Sequence, residues 1–209
     1  MEDRAVSTGE RQQSGVEARG VETRRGVYPG SFNPLTTAHL AIAEAACEAH
    51  QLDRVHLTVS TSALAKEHVM HPRFEHRIEV LHDAVIDIEW LEIQTTEMQL
   101  LVDIGSGYDV LIVGADKWWQ IQDPVWYDND PAARDEALAK LPTVAVAPRG
   151  DLATPEHLTL DVDLELIANI SSTEARSGNL DLMVPAARRF AEQTGAWIDP
   201  ARYDRWLQN

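Results

Sequence analysis

Two short segments of the chain gather residue types suited to holding an anion. In the first, Gly30, Ser31 and Phe32 occupy a turn that leads to Thr36 and His39 at the start of an Ala- and Leu-rich stretch. A glycine in such a turn lets the backbone approach a ligand closely, and a helix N-terminus offers free amide protons to a phosphate. His39 at that position faces a phosphate oxygen or is a structural histidine. In the second segment, Ser171, Ser172 and Thr173 precede Glu174 and Arg176. Hydroxyls and amides gather there at a helix start, and the planar fork of an arginine makes paired hydrogen bonds to phosphate oxygens. The same residues also read as a cap, with Ser172 or Thr173 capping and Glu174 in the acidic first turn. Both readings hold together, since a phosphate can sit on a capped helix. Gly114 and Asp116 follow a continuous apolar run. A carboxylate there receives ribose hydroxyls, helps to place a metal, or caps a helix from Lys117 onward.

These residues must be positioned by regular elements. The segment GVYPGSF reads as a short buried strand entering a tight turn, and HLAIAEAACEAHQL as a glycine-free helix ending near Leu52. Asp53 to Ser60 is β-branched and apolar, a second strand. In RFEHRIEVLHDAV, Phe74, Ile78, Leu81 and Val85 recur at helical spacing. A third strand is expected at Ile86 to Ile93 and a helical turn or two at Thr96 to Ile104. The run Val110 to Val113 suits a parallel strand covered on both faces, and LPTVAVAPRG supplies another. ISSTEARSG precedes a helix in VPAARRFAEQTG, and a short last helix carries Tyr203 and Trp206. This alternation predicts an α/β fold, a Rossmann-like open parallel sheet with helices on both faces, in a single domain over residues 25–209. Ligands of such sheets sit beyond the carboxyl ends of the strands. The singled-out residues fall at those ends: after Tyr28, after Val59, after Val113, and at Arg149 just after Ala147.

Residues 1–24 lack periodicity and read as a disordered leader. The 34 acidic and 18 basic residues give a formal net charge of −16. That balance argues against a sequence-independent nucleic-acid binder, which needs a basic face. A locally positive pocket for a phosphorylated small molecule is compatible with it. One cysteine, Cys47, allows neither an internal disulfide nor a cysteine-based zinc site. No apolar run is long enough to span a membrane and no apolar signal segment stands at the start, so a cytoplasmic location is expected. A homo-oligomer is left open.

GSFNPLTTAHL resembles the (T/H)xGH signature of the nucleotidyltransferase superfamily, and ISSTEAR resembles its second signature, ISSTxxR. With GAD and PRG between them, the set is most similar to bacterial nicotinate or nicotinamide mononucleotide adenylyltransferases, from about Gly26 to the C-terminus. The resemblance implies a Rossmann-like sheet with ATP or CTP against the first loop. It implies that Gly30, Ser31, Phe32 and Thr36 line the nucleotide, and that His39 hydrogen-bonds its phosphates. It implies further that Ser171, Ser172, Thr173 and Arg176 hold the β- and γ-phosphates. Lys66 matches a lysine placed near the transferring phosphate, or is a solvated loop cation. Arg149 resembles the arginine of an RPG turn with the residue order reversed, and reaches the base or acceptor or is a surface charge. Ala38 departs from the signature, where a glycine is usual.

Other chemistries lack their residues. GxGxxG, a Walker A loop, a GxSxG elbow and an HxxxH pair are all absent. What remains is positive charge and amides around a phosphate. That suffices for in-line attack by an acceptor phosphate on the α-phosphorus of a nucleoside triphosphate. Mg²⁺ would arrive with the ATP, mostly hydrated, so no acidic cluster is required. The expected acceptor is nicotinate or nicotinamide mononucleotide. Relatives using it carry a GxxYT segment after the third strand, where this chain has IEWLEIQTTEMQL, keeping Thr95 and Thr96 but not the tyrosine. Trp90, Trp118, Trp119 and Trp126 offer aromatic surface for a planar ring or fill the core. Cytidylyl transfer, a phosphopantetheine acceptor and a non-catalytic nucleotide sensor stay as alternatives.

Overall fold

The computed structural model describes residues 23–61, 71–168 and 170–209. The expected leader lies outside them except for Thr23 and Arg24, as does Lys66. Five strands form the sheet: β1 Arg25–Pro29, β2 Arg54–Ser60, β3 Leu91–Thr96, β4 Val110–Gly114 and β5 Thr143–Ala147. Their spatial order is β3-β2-β1-β4-β5, and every pairing is parallel. The helices are α1 Thr37–His50, α2 Phe74–Val85, α3 Leu101–Ile104, α4 Ala115–Gln120 and α5 Pro131–Leu138. They continue with α6 Leu164–Ala168, α7 Ser172–Arg176, α8 Pro185–Thr194 and α9 Pro200–Trp206.

Side chains alternate across a strand, so one apolar run feeds two cores. Val110 and Ile112 of β4 join Val55, Leu57 and Val59 of β2 against Ile42, Ala43 and Ala46 of α1 and Leu81 of α2. Ala187 and Ala191 of α8 and Tyr203 of α9 close the same core. Leu111 and Val113 point the other way, packing with Val27, Val144 and Val146 against Ile104 of α3 and Trp118 of α4. Helices therefore cover both faces of a single sheet, as the sequence predicts. On that second face β2 carries His56 and Thr58, both buried. Tyr108 satisfies His56 Nδ1 at 2.7 Å, so the polar stretch is paired rather than orphaned.

The third strand begins later than expected. Ile86 is 78% exposed, and the chain turns through Ile88 N–H to Val85 O before β3 opens at Leu91. Ile86 and Ile88 mimic a strand start, but Asp87 between them and Glu89 after them sit in the turns that follow α2. β3 then runs on to Thr96, whose partner in register is Ser60. Helix in the next segment is confined to α3. The first helix ends near the expected place without a glycine, because Gln51 takes the left-handed conformation (φ 52°) and donates to Cys47 and Glu48 carbonyls.

The sheet reverses direction of winding between β1 and β4. These strands pair at Gly26↔Val110 and Val27↔Leu111, then run on to Pro29 and Gly114 beyond those positions. Such a switch point leaves a crevice at the carboxyl ends of the strands.

Candidate functional site

The loop from Gly30 to Thr36 leaves β1 at that crevice. Gly30 N–H still follows the sheet, donating to Thr58 O at 3.0 Å. A Cβ on Gly30 would lie 2.7 to 3.0 Å from three atoms of the Phe32 ring, so the glycine is required by close approach. Phe32 takes φ 40°, sparsely populated for an aromatic residue. Its ring is 2% exposed and stands edge-on to His39 at 5.2 Å and to Tyr28 at 5.4 Å. The Phe32 ring is thus packed into the protein against the His39 imidazole.

Thr36 caps α1, and His39 closes the capping box. Thr36 N–H donates to His39 Nδ1 at 3.1 Å, and the Thr36 hydroxyl lies 2.6 Å from the same nitrogen. A backbone amide can only donate, so Nδ1 is an acceptor and the proton of the neutral ring sits on Nε2. The ring keeps some solvent access. The dense protein around it, and then the Arg149 charge, lower its pKa to about 4. His39 is therefore a neutral N–H donor across the physiological range. Ala38, the departure from the signature, is buried in the first turn of α1, and its φ is not positive. The backbone there does not need a glycine.

Gly114 precedes α4 as its N-cap, and a Cβ on it would meet Asp116 Oδ1 at 2.8 Å. Asp116 and Arg149, from the ends of β4 and β5, form a half-exposed pair at 3.8 Å. Burial raises the Tyr28 hydroxyl above the usual phenol range, with the Asp116 carboxylate adding to the shift and Arg149 opposing it. Tyr28, His39, Asp116 and Arg149 thus share one electrostatic neighbourhood at the end of β1, β4 and β5.

The second segment docks on the first. Ser172 Oγ donates to Pro34 O at 2.8 Å, and Arg176 Nη1 donates to Asn33 O in a very short contact. Arg176 Nη2 also donates to Thr173 Oγ1 at 3.1 Å, so these bonds engage two of its five N–H groups. The α7 cap is Ser171, which accepts from Glu174 N at 3.1 Å. The expected capping residues, Ser172 and Thr173, instead serve Pro34 and Arg176. Ser31 lies in the same loop. Among the sequence-predicted residues, Lys66 alone lies outside the described ones.

Sequence reasoning passed over three contributors. Tyr28 lies one residue before the end of β1, its ring centroid 6.3 Å from that of the imidazole. Asn33 is 6% exposed, and its Oδ1 accepts from Trp197 Nε1 at 2.5 Å across 164 residues. An asparagine between an aromatic and a proline in a glycine-bearing turn was the available signal for Asn33. Trp197 carried none.

A family model described as cytidylyltransferase-like matches residues 27–178, from β1 through α7 and so through both segments. The chain is also 41% identical over 64 residues to a probable nicotinate-nucleotide adenylyltransferase of Citrifermentans bemidjiense. That similarity covers 31% of this chain and 30% of that protein. No helix among the described residues is long and apolar enough to cross a membrane. With both segments inside the matched range on a five-stranded parallel sheet, the chain belongs to the cytidylyltransferase-like family of nucleotidyltransferases.

Proposed function

We propose that the chain transfers the adenylyl group of ATP to nicotinate or nicotinamide mononucleotide, releasing pyrophosphate. The observation that carries the reading is the neutral imidazole of His39, fixed with Nε2–H as donor at the N-terminus of α1 beside the β1/β4 crevice. The adenylyl donor and pyridine-nucleotide acceptor rest on the partial similarity to the Citrifermentans protein.

In this mechanism an acceptor phosphate oxygen attacks the α-phosphorus as the bond to the β-phosphate oxygen breaks. Negative charge grows on the α-phosphate oxygens and on the leaving pyrophosphate. His39 Nε2–H and the first amides of α1 donate to the α-phosphate, where a fixed donor in a low-dielectric site needs no reorganisation. Arg176, with the hydroxyls of Ser171 and Thr173, receives the pyrophosphate, while Ser172 gives its hydroxyl proton to Pro34 O and holds the segment on the loop. Gly30 and Ser31 line the nucleotide through the loop backbone, and Thr36 holds the imidazole. Arg149 and Asp116, beyond Gly114, face the base, ribose or acceptor, and Lys66 adds charge near the transferring phosphate. Mg²⁺ would enter on the triphosphate and neutralise part of its charge. Asp116, half-exposed at the crevice, fits a cation that keeps most of its waters and takes one or two protein carboxylates.

Pyrophosphate release tests this. ATP and CTP are each offered with nicotinate mononucleotide, nicotinamide mononucleotide, phosphopantetheine and a sugar phosphate. Turnover is expected with ATP and a pyridine mononucleotide. Turnover with CTP alone would reassign the donor, and binding without release under every pairing would favour a nucleotide sensor.

A further inference from the structure

Building on that nucleotidyl-transfer reading, we propose that Trp197 is a positioning residue that sets the phosphate-facing loop from the opposite end of the chain. The loop from Asn33 to Thr36 lies between β1 and α1, and its backbone is held from outside. Asn33 O accepts from Arg176, Pro34 O from Ser172, and Leu35 O from Val184 N at 3.2 Å. Thr36 bridges Met183. All of these partners lie C-terminal to residue 170. The hydrogen bond to the Asn33 side chain is of a different kind. Trp197 Nε1 has one proton and gives it to Asn33 Oδ1 at 2.5 Å, and both residues are buried, at 7% and 6% exposure.

Trp197 holds φ 68°, a conformation that bulky L-residues rarely adopt. It sits in the turn between α8 and α9 with its ring edge-on to Phe190 at 5.9 Å. Beyond its volume, the indole differs from a phenyl ring in carrying an N–H that needs a partner when buried. The indole N–H is the distinguishing feature, and its acceptor is the residue whose carbonyl anchors Arg176. One buried amide therefore joins three things: the C-terminal turn through its side chain, α7 through its carbonyl, and α1 through the short tether to Thr36. If that amide shifts, Arg176 and the His39 Nε2–H move relative to each other. Misplacement of about 1 Å between reacting groups costs roughly 100-fold in rate.

The test compares Trp197→Phe, Asn33→Leu and the double variant Trp197→Phe/Asn33→Leu. Trp197→Phe keeps an aromatic ring against Phe190 but removes the N–H donor together with part of the indole volume, leaving Asn33 Oδ1 buried without its partner. The expected result is a fall in kcat of roughly 10- to 100-fold with KM for ATP changed by less than about threefold. Hydrogen exchange at the amides of Leu35 to His39 should speed up about tenfold, while Val110 to Val113 of β4 remain protected. Removing both partners relieves the unsatisfied amide, so the double variant should regain thermal stability but not kcat. A purely structural tryptophan predicts the opposite pairing, in which kcat returns together with stability. That pairing, or unchanged exchange at Leu35 to His39 in Trp197→Phe, overturns the proposal. If the wild-type protein releases no pyrophosphate with any donor and acceptor, the functional reading fails separately. The exchange measurement then decides alone whether Trp197 sets the loop.

Discussion

Replacing His39 with alanine separates the catalytic reading from a structural one, and the two free energies can be set beside each other. If Nε2–H stabilises charge that develops only as the α-phosphorus is attacked, its removal acts on the transition state more than on bound ATP. The expected loss in kcat/KM is about 100-fold or more, or about 2.7 kcal/mol, with ATP affinity falling much less. The fold also loses something. The Thr36 amide loses its acceptor, Nδ1, which as a capping interaction is worth about 1 kcal/mol. The edge contact with Phe32 at 5.2 Å adds about 0.5 to 1 kcal/mol. A stability loss of about 1 to 2 kcal/mol is therefore expected, more than an exposed active-site histidine would cause. The sequence alone suggests little change. The assay is a denaturant midpoint and steady-state kinetics on the same purified variant, with ATP binding followed by calorimetry. A folded His39→Ala protein that turns over at the wild-type rate would refute the assignment. A collapse in stability with normal turnover of the folded fraction would make His39 a capping residue only.

The other predictions use the same site. The pKa of His39 is about 4 in the folded protein against 6.5 unfolded, so the unfolded chain binds more protons between those values. Stability from this group is complete above pH 6.5 and is lost as pH falls toward 4. With the ring partly exposed, the loss should be about 1 to 2 kcal/mol, read as wild-type denaturant midpoints minus those of His39→Ala. Arg149→Ala removes a cation that disfavours the imidazolium, so the His39 titration should move up in pH by NMR; an unmoved titration would separate the two residues. Gly30→Ala places a methyl group into the Phe32 ring and should destabilise by about 1 to 3 kcal/mol in thermal melts. Arg176→Lys keeps the charge but loses the fork to Asn33 O and Thr173, and kcat/KM should fall roughly tenfold.

The sheet was legible where one residue type answered one question. Val110 to Val113 is apolar at every position because β4 is covered on both faces, and Leu111 and Ile112 do divide between the two cores. The start of β3 was not legible, since Ile86 and Ile88 look like strand residues and only the packing of α2 leaves Ile86 in solvent. Arg176 and Asp116 stand out in the sequence because charge at a strand or helix end has few uses, and His39 because it falls at the opening of the first helix. The roles inside the second segment were not. Ser171, Ser172 and Thr173 carry the same hydroxyl, and only the direction of the chain decides that the first caps α7 while the second reaches Pro34.

The least legible part is the joining of the two segments, and the reason is chemical. Carbonyl oxygens hold the loop in place, and every residue has one, so nothing in the letters Asn33, Pro34 and Leu35 announces that Arg176, Ser172 and Val184 will bind them. A loop that must bring a helix N-terminus close to a polyanion exposes its own carbonyls nearby, and these would repel phosphate if left free. Turning the carbonyls of Asn33 and Pro34 toward Arg176 and Ser172 removes that repulsion and fixes Arg176 beside the α1 N-terminus at the same time. The second segment is on this argument a structural complement of the first before it is a phosphate ligand. It follows that Arg176→Ala should loosen the loop even without nucleotide present, with faster hydrogen exchange at Leu35 to His39 of the ligand-free protein. Unchanged exchange there would mean that the guanidinium serves bound phosphate alone.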